Sequence, residues 1–315
     1  MMDAFLVVSP GPYTTVQDRG RFDYQHMGIP VSGALDSFAF RIANLLVGNC
    51  TGCAALEMTF TGARLEALCE ADIAVTGAEM TLKVNGKPEA CWKSIRIHRG
   101  DIIRIGTARS GCRAYLAVTG GIDVPMVMGS RSTYVAGRLG GLEGRILNER
   151  DIIKRGSGAL LSSPRSFPSI PLYPREIWLR AIPDDHADYF VGGAEGFFGS
   201  AFTVGVQSDR MGYRLQGPEL FREEGAPKSM ISEPVMPGAV QVPPNGQAVI
   251  LLCEQTLGGY TKIASVISPD LDRVAQAKPG DVVDFAPVTL NEAHAIYRDH
   301  TRYIAKLATL LSPSK

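Results

Sequence analysis

Apolar residues along this chain come in short runs that break at glycine, proline and Asn-Gly. Residues 63–74, 80–84, 94–98, 102–105 and 113–118 have the composition of β-strands. Between two of them, Lys83-Val84-Asn85-Gly86-Lys87 carries the dipeptide that closes tight hairpins. Strands this short and frequent predict a barrel or a sandwich rather than a parallel α/β sheet. The chain therefore reads as mainly β with a few helices.

Two segments switch to a helical period. From Leu35 to Val47, apolar residues stand at 35, 38, 39, 42, 45 and 46, with Asp36 at the start and Gly48-Asn49 as a stop. Near the end, Thr289-Leu290-Asn291-Glu292 fits a capping box, followed by Ile296, Tyr297, Ile304, Leu307 and Leu311. A short third helix is expected at Ser268-Pro269, with serine as cap and proline in the first turn. Residues 157–174 are rich in serine and proline and lack periodicity, which marks a boundary. The expected division is an N-terminal β-rich subdomain, 1–165, and a C-terminal subdomain, 166–315, that ends in the last helix. Two pairs of segments hint at internal duplication. Val16-Gln17-Asp18-Arg19 resembles Val206-Gln207-Ser208-Asp209-Arg210, and Gly100-Asp101-Ile102-Ile103 resembles Gly280-Asp281-Val282-Val283.

Charge narrows the functional classes. Lys+Arg and Asp+Glu both number 32 in 315 residues, so no net field favours nucleic acid or an anionic membrane. The opening MMDAFLVVSP has an early acid and no basic region, which suits a first strand and not a signal peptide. No run has the length of a membrane span, and a cytoplasmic location is expected. Cysteines 50, 53, 69, 91, 112 and 253 lie in apolar surroundings and read as buried thiols. Cys50 and Cys53 form one C-x-x-C with no second pair to complete a zinc set.

Standard catalytic signatures are missing: there is no phosphate-loop Gly-Lys-Ser/Thr, no Gly-x-Ser-x-Gly elbow and no His-Glu-x-x-His. Glycines 192, 193, 196 and 199 read as a mobile loop, and GRLGGLEGR lacks a phosphate-loop lysine. The five histidines make no ligand pair. Activity would therefore rest on arginines, amides, hydroxyls and backbone donors, which bind and polarise. The segment Val242–Ala264 is the densest such cluster, with Asn245 and Gln247 on one side of the apolar run 248–253 and Gln255, Gly258, Gly259 and Tyr260 on the other. Amides donate and accept, and glycine admits a ligand to the backbone N–H. An Asn-Gly hairpin tip explains part of this equally well.

Three further constellations are candidates. In Ser208–Leu215, Arg210 and Arg214 flank Tyr213 beside Asp209, and arginine suits bidentate capture of a carboxylate. Asp18 and Arg19 form an N-terminal counterpart. The loop Gly28–Asp36 feeds the first helix, whose free N–H groups suit an anion. Locally paired turns and ordinary capping are the alternative reading of all three.

The segments GPYTTVQDRGRFDYQHMGIPVSGALDSFAFRIANLLVGN, AYLAVTGGIDVPMVMGSRST, SDRMGYRLQG and PGAVQVPPNGQAVILLCEQTLGGYTKIA resemble the biotin-dependent carboxyltransferase-like family. The resemblance covers nearly the whole chain. That family includes the C subunit of bacterial ATP-dependent 5-oxoprolinase, the second allophanate-hydrolase-type subunit, part of the carboxyltransferase region of urea carboxylase, and antagonists of a sporulation-kinase inhibitor. The resemblance implies a mainly β fold with cyclophilin-like barrel subdomains, and work beside two partners, a homologous B subunit and a larger A subunit. It favours cleavage of 5-oxoproline to glutamate, with ATP bound on a partner. On that reading Arg210 or Arg214 holds a carboxylate, with Tyr213, Asp18 and Arg19 nearby. Asn245, Gln247 and Gln255 bind the lactam with Tyr260 beside them, and the Gly258-Gly259 amides stabilise developing charge. The alternatives are a biotin-dependent carboxyltransferase acting on urea or an amide, and a regulator without activity.

Overall fold

A computed structural model describes residues 2–227 and 229–311. Met1, Lys228 and 312–315, which fall inside the expected subdomain ranges, lie outside the described residues. The chain divides into two compact units. The first holds the residues up to Arg21, Ser32–Tyr173 and the residues from Ile304 on; the second holds Phe22–Val31 and Pro174–Tyr303.

The first unit is a two-sheet sandwich. Its elements are β1 (Met2–Ser9), β2 (Thr14–Gln17), α1 (Ser37–Leu46), β3 (Ala55–Thr59), β4 (Arg64–Ala67), β5 (Ala71–Glu79), β6 (Leu82–Val84), β7 (Lys87–Glu89), β8 (Ser94–Ile97), β9 (Ile102–Ile105), β10 (Ser110–Val118) and β11 (Ile152–Arg155). One sheet runs β11-β1-β4-β9-β6-β7 and the other β2-β3-β10-β5-β8. Phe5, Val7, Leu65 and Ile103 from the first sheet meet Leu56, Met58, Ile73, Val75 and Leu116 from the second in one core.

The second sheet is buried on its other face too. Along β10, Ala114, Leu116 and Val118 enter the sandwich core, whereas Tyr115 and Ala117 pack under α1 with Phe40, Ile42 and Leu46. A strand covered on both sides reads as a continuous apolar run, which is why 113–118 shows no alternation. The apolar run 63–74 proves to be two strands, β4 and β5, that belong to opposite sheets. Lys83–Lys87 is the predicted hairpin, with Asn85 and Gly86 at φ 50° and 80°, the left-handed pair of a type I′ turn.

The first helix begins two residues inside its predicted start, because Asp36 is its cap: Asp36 Oδ1 accepts from Ala39 N at 2.8 Å. The N–H groups of the loop before it are spent internally. Gly33 N donates to Gln17 Oε1, Ala34 N to the Asp18 carbonyl, Leu35 N to Glu57 and Asp36 N to the Tyr115 hydroxyl. These four N–H groups, at Gly33 to Asp36, are therefore engaged within the protein.

The second unit contains a closed barrel. Its elements are β12 (Glu176–Pro183), α2 (Gly193–Phe198), β13 (Ala201–Val204), β14 (Gly212–Gln216), β15 (Glu233–Pro234), β16 (Ala239–Val242), β17 (Val249–Leu251), β18 (Leu257–Gly258), β19 (Thr261–Val266), α3 (Leu271–Gln276) and β20 (Val282–Pro287). The strand order is β12-β19-β16-β17-β14-β13-β20, and the parallel pairing of β20 with β12 closes it. The mainly β expectation therefore stands. The glycine-rich 192–199 stretch is a helix and not a mobile loop: Phe197 is fully buried, with its ring 4.5 Å from that of Phe285, and this burial outweighs the low helical propensity of glycine. The last helix, α4 (Leu290–Leu310), starts on the predicted capping box, in which Thr289 N donates to Glu292 Oε2 at 2.8 Å and Glu292 N to Thr289 Oγ1 at 3.3 Å.

The Gly-Asp pairs share a turn rather than a fold. Asp101 Oδ2 accepts from His98 N at 2.7 Å and Asp281 Oδ2 from Lys278 N at 3.0 Å. Gly100 and Gly280 sit at φ 89° and 88°. The strands they launch lie in the sandwich and in the barrel respectively.

Candidate functional site

Antiparallel register sets the site. Arg214 on β14 pairs with Val249 on β17, which pairs with Gln241 on β16. Side chains along a strand alternate between faces, so this row faces away from the barrel interior and the next row, Tyr213-Ile250-Val240, faces into it. Arg214 is exposed and Tyr213, Ile250 and Val240 are buried, while Gln241 in the outer row is itself buried, beside Gly258 of the β15–β18 ribbon.

Two adjoining cavities, of about 620 and 190 Å³, lie on the outer face and share Gln207, Arg214, Pro243 and Val249. The larger is lined also by Gln216, Asn245 and Gln247. Asp209, Met211, Gln241, Gln255 and Tyr260 line the smaller. Together they form one groove dominated by neutral amides, with Arg214 as its guanidinium.

The loops that present these amides are held locally. Asn245 Oδ1 accepts from Gln247 N at 3.2 Å, and Gly246 takes φ 72° to turn the chain. Gln255 Nε2 donates to the Leu257 carbonyl at 3.2 Å. A side chain on Gly258 would overlap the amide nitrogen of Gln241, so this glycine makes room for a groove residue.

Of the sequence candidates, Asn245, Gln247, Gln255, Tyr260 and Arg214 share the groove. The others do different things. Arg210 is 4 % exposed, and its Nε donates to Glu254 Oε1 at 2.5 Å, so it is not open to a substrate carboxylate. Its carbonyl also accepts from Glu254 N, which ties the 252–256 loop to the turn that precedes β14. Tyr213 points inward and its hydroxyl donates to the Ala277 carbonyl at 3.1 Å. Gly258 and Gly259 lie in or beside the two-stranded ribbon of β15 and β18, with Gly259 packed near Ser232 and Met230.

Asp18 and Arg19 belong to the sandwich unit. Asp18 is buried, and its carboxylate accepts from Gly20 N, Arg131 N and the hydroxyls of Ser130 and Ser132, all within 2.9 Å. It is a structural anchor. Arg19 is exposed and lies across Gly52.

Gln207, Gln216 and Gln241 were not singled out from the sequence. The alternation within GYRLQ was the available signal for Arg214 and Gln216, which it places opposite the buried positions, whereas β16 is buried throughout and gave no such signal for Gln241.

A second cluster was also missed. Lys262 on β19 pairs in register with Gln241, and its Nζ stands 2.7 Å from Glu233 and 3.9 Å from Asp184. His186 Nδ1 lies 3.2 Å from Asp184, and the ring stacks on Tyr189. The hydrogen bond from Lys262 holds the Glu233 carboxyl below its ordinary range, and the same bond raises the Lys262 ammonium. Lys262 is thus a charged donor, not a general base.

Among the described residues no group of three or more His, Cys, Asp or Glu is placed to hold a metal ion, and no helix is long and apolar enough to cross a membrane. One guanidinium among amides does not fit a nucleotide triphosphate, which calls for a cluster of cations or a glycine loop at a helix start. It does fit a small amide or ureido compound that carries one negative charge.

The family model for the carboxyltransferase domain, subdomain A and B, matches residues 27–287. The chain belongs to this family. It is 38 % identical to the C subunit of 5-oxoprolinase from Escherichia coli over 96 % of this chain and 97 % of that protein. The urea amidolyase of Lachancea kluyveri is 36 % identical over 98 % of this chain, which spans only 18 % of that larger protein. The crystal structure of Kluyveromyces lactis urea carboxylase superposes with a TM-score of 0.90 at 32 % identity, covering 99 % of this chain and 30 % of that one. Relatives of this chain are thus components of enzymes, either as subunits or as regions of larger chains.

Proposed function

We propose that this chain is the C subunit of an ATP-dependent 5-oxoprolinase, contributing the amide-lined part of a site that partner subunits complete, and that it works in the cytoplasm. The observation that carries this reading is the groove on the outer face of β14, β17 and β16, where five sequence candidates meet. Similarity to the C subunit of the Escherichia coli 5-oxoprolinase, along nearly the full length of both chains, supports the choice of substrate.

In this reading Arg214 holds the substrate carboxylate by charge-assisted hydrogen bonds. Asn245 and Gln247 hold the lactam by donating to its oxygen and accepting from its N–H. Gln255 and Tyr260 close the far side, and Gln241, which also lines the groove, joins the Gly258-Gly259 amides as a donor to charge developing on the carbonyl oxygen. Arg210 acts as a positioning residue through Glu254. ATP, when bound, supplies the driving force for opening the ring. The donor set of the groove supports its binding on a partner chain, the homologous B subunit or the larger A subunit.

The close superposition on urea carboxylase favours one second reading: a carboxyltransferase component for urea or an amide, with biotin carried by another protein. The same amides would hold a ureido group. Reconstitution with the partner subunits decides between them. ATP-dependent release of glutamate from 5-oxoproline, reduced by Arg214→Ala and Asn245→Ala, is the expected result. Biotin-dependent incorporation of bicarbonate without glutamate release would replace the first reading with the second.

A further inference from the structure

Cys50 and Cys53 stand in the turn that follows α1, and their Sγ atoms are 2.9 Å apart. The sequence alone makes them buried thiols, but Cys50 is exposed and Cys53 only half-buried. The turn is braced on both sides. Cys53 N donates to the Cys50 carbonyl at 3.2 Å, and Asn44 Nδ2 donates to the Cys53 carbonyl at 2.8 Å. Asn49 donates to the Val118 carbonyl and accepts from Gly120 N, both at 2.8 Å. Behind Cys53, Gly121 packs so closely that a Cβ there would come 2.8 Å from that of the cysteine.

The two thiols are unequal. The hydrogen bond from Cys53 lowers the pKa of the Cys50 thiol, while burial pushes Cys53 up to about 12. Cys50 follows the C-terminal end of α1, whose dipole gives its thiolate no help. The Cys50 thiolate is favoured instead by the hydrogen bond from Cys53 and by backbone N–H groups of the turn itself, at Gly52 and Cys53. An exposed nucleophile backed by a shielded thiol is the arrangement a two-step exchange requires.

We propose that Cys50 and Cys53 form a reversible dithiol–disulfide centre, in which exposed Cys50 attacks a low-molecular-weight disulfide and Cys53 resolves the product. In the first step the Cys50 thiolate bonds to one sulfur of the small disulfide, and its other sulfur leaves as a thiolate. In the second step Cys53 loses its proton and attacks Cys50 Sγ, and the remaining small thiol is released. The pair gives up two electrons and two protons, and the small disulfide becomes two thiols. Bond formation needs the sulfurs to approach from 2.9 Å to about 2.05 Å, which side-chain rotation within the braced turn accomplishes.

The test equilibrates the purified full chain in glutathione buffers of rising oxidised fraction, quenches with acid, alkylates and maps each cysteine by mass spectrometry. Cys50 and Cys53 are expected to lose alkylation together and to regain it with dithiothreitol, while Cys69, Cys91, Cys112 and Cys253 stay alkylated. Cys53→Ser is expected to accumulate one glutathione on Cys50, and Cys50→Ser to take none on Cys53. The proposal is overturned if the pair stays alkylated at the most oxidising poise in protein that circular dichroism shows to be folded. It is equally overturned if Cys53→Ser takes no glutathione, or if both variants take it alike. Groove activity plays no part in this readout, so failure of the 5-oxoprolinase reading leaves it standing.

Discussion

Residues 16–19 and 206–210 start from nearly the same letters and put them to opposite uses. In the sandwich unit, Gln17 is fully buried: its Nε2 donates to Thr15 Oγ1 and the Thr133 carbonyl, and its Oε1 accepts from Gly33 N. Asp18 is saturated by four donors. In the barrel unit, Gln207 opens on the groove, and Asp209 both lines its smaller cavity and forms the turn, accepting from Met211 N and Gly212 N. A polar side chain is available for binding only where the fold leaves its hydrogen-bonding capacity unspent. By that criterion the barrel face is the candidate site, and the Asp18 network, though richer in polar atoms, is a brace.

The sharpest way to break this comparison lies within four residues. Arg210→Ala leaves Glu254 as a buried carboxylate without its guanidinium, which costs roughly 3–5 kcal/mol of unfolding free energy. Urea denaturation measures it, and a loss below about 1 kcal/mol would mean that Arg210 is not the brace described. Arg214→Ala should do the reverse. Unfolding should change by no more than about 0.5 kcal/mol for an exposed position. In the reconstituted complex, kcat/KM should fall about 10- to 100-fold, because a charge-assisted hydrogen bond is worth roughly 1.5–3 kcal/mol. If Arg210→Ala spares the fold while Arg214→Ala spares the rate, the two assignments are exchanged.

Asp18→Ala tests the other half of the contrast. It strands buried donors from Ser130, Ser132 and Arg131, at roughly 1–3 kcal/mol of stability. Activity per folded molecule should remain that of the wild type, and a selective loss of rate would return Asp18 to the site.

The smallest effect expected is electrostatic. Lys262 depresses the Glu233 pKa in the folded protein, so this pair stabilises above the ordinary glutamate pKa of 4.5 and is lost as pH falls through the depressed value. Glu233 is 48 % exposed, so solvent screening limits the gain to below about 1 kcal/mol. The stability gap between wild type and Glu233→Gln should therefore be present near neutral pH and close on acidification. A gap that widens with acid would contradict the Lys262–Glu233 pairing.

Sequence alone determined the mainly β class, the Asn85-Gly86 hairpin, the first and last helices and the amide-rich 245–260 segment. Each of these depends on residues within a few positions of one another: a φ-positive turn, a capping box, a periodic stripe. It did not determine which of Tyr213 and Arg214 faces outward, nor that Arg210 would be taken by Glu254, 44 positions away. Nor did it show that the 63–74 run crosses between two sheets, or that Phe197 would order a glycine-rich segment. Strand register and burial decided those matters, and both arise from contacts between residues far apart in the chain. Only the folded barrel, by bringing β14, β17 and β16 side by side, turned five scattered polar residues into one groove.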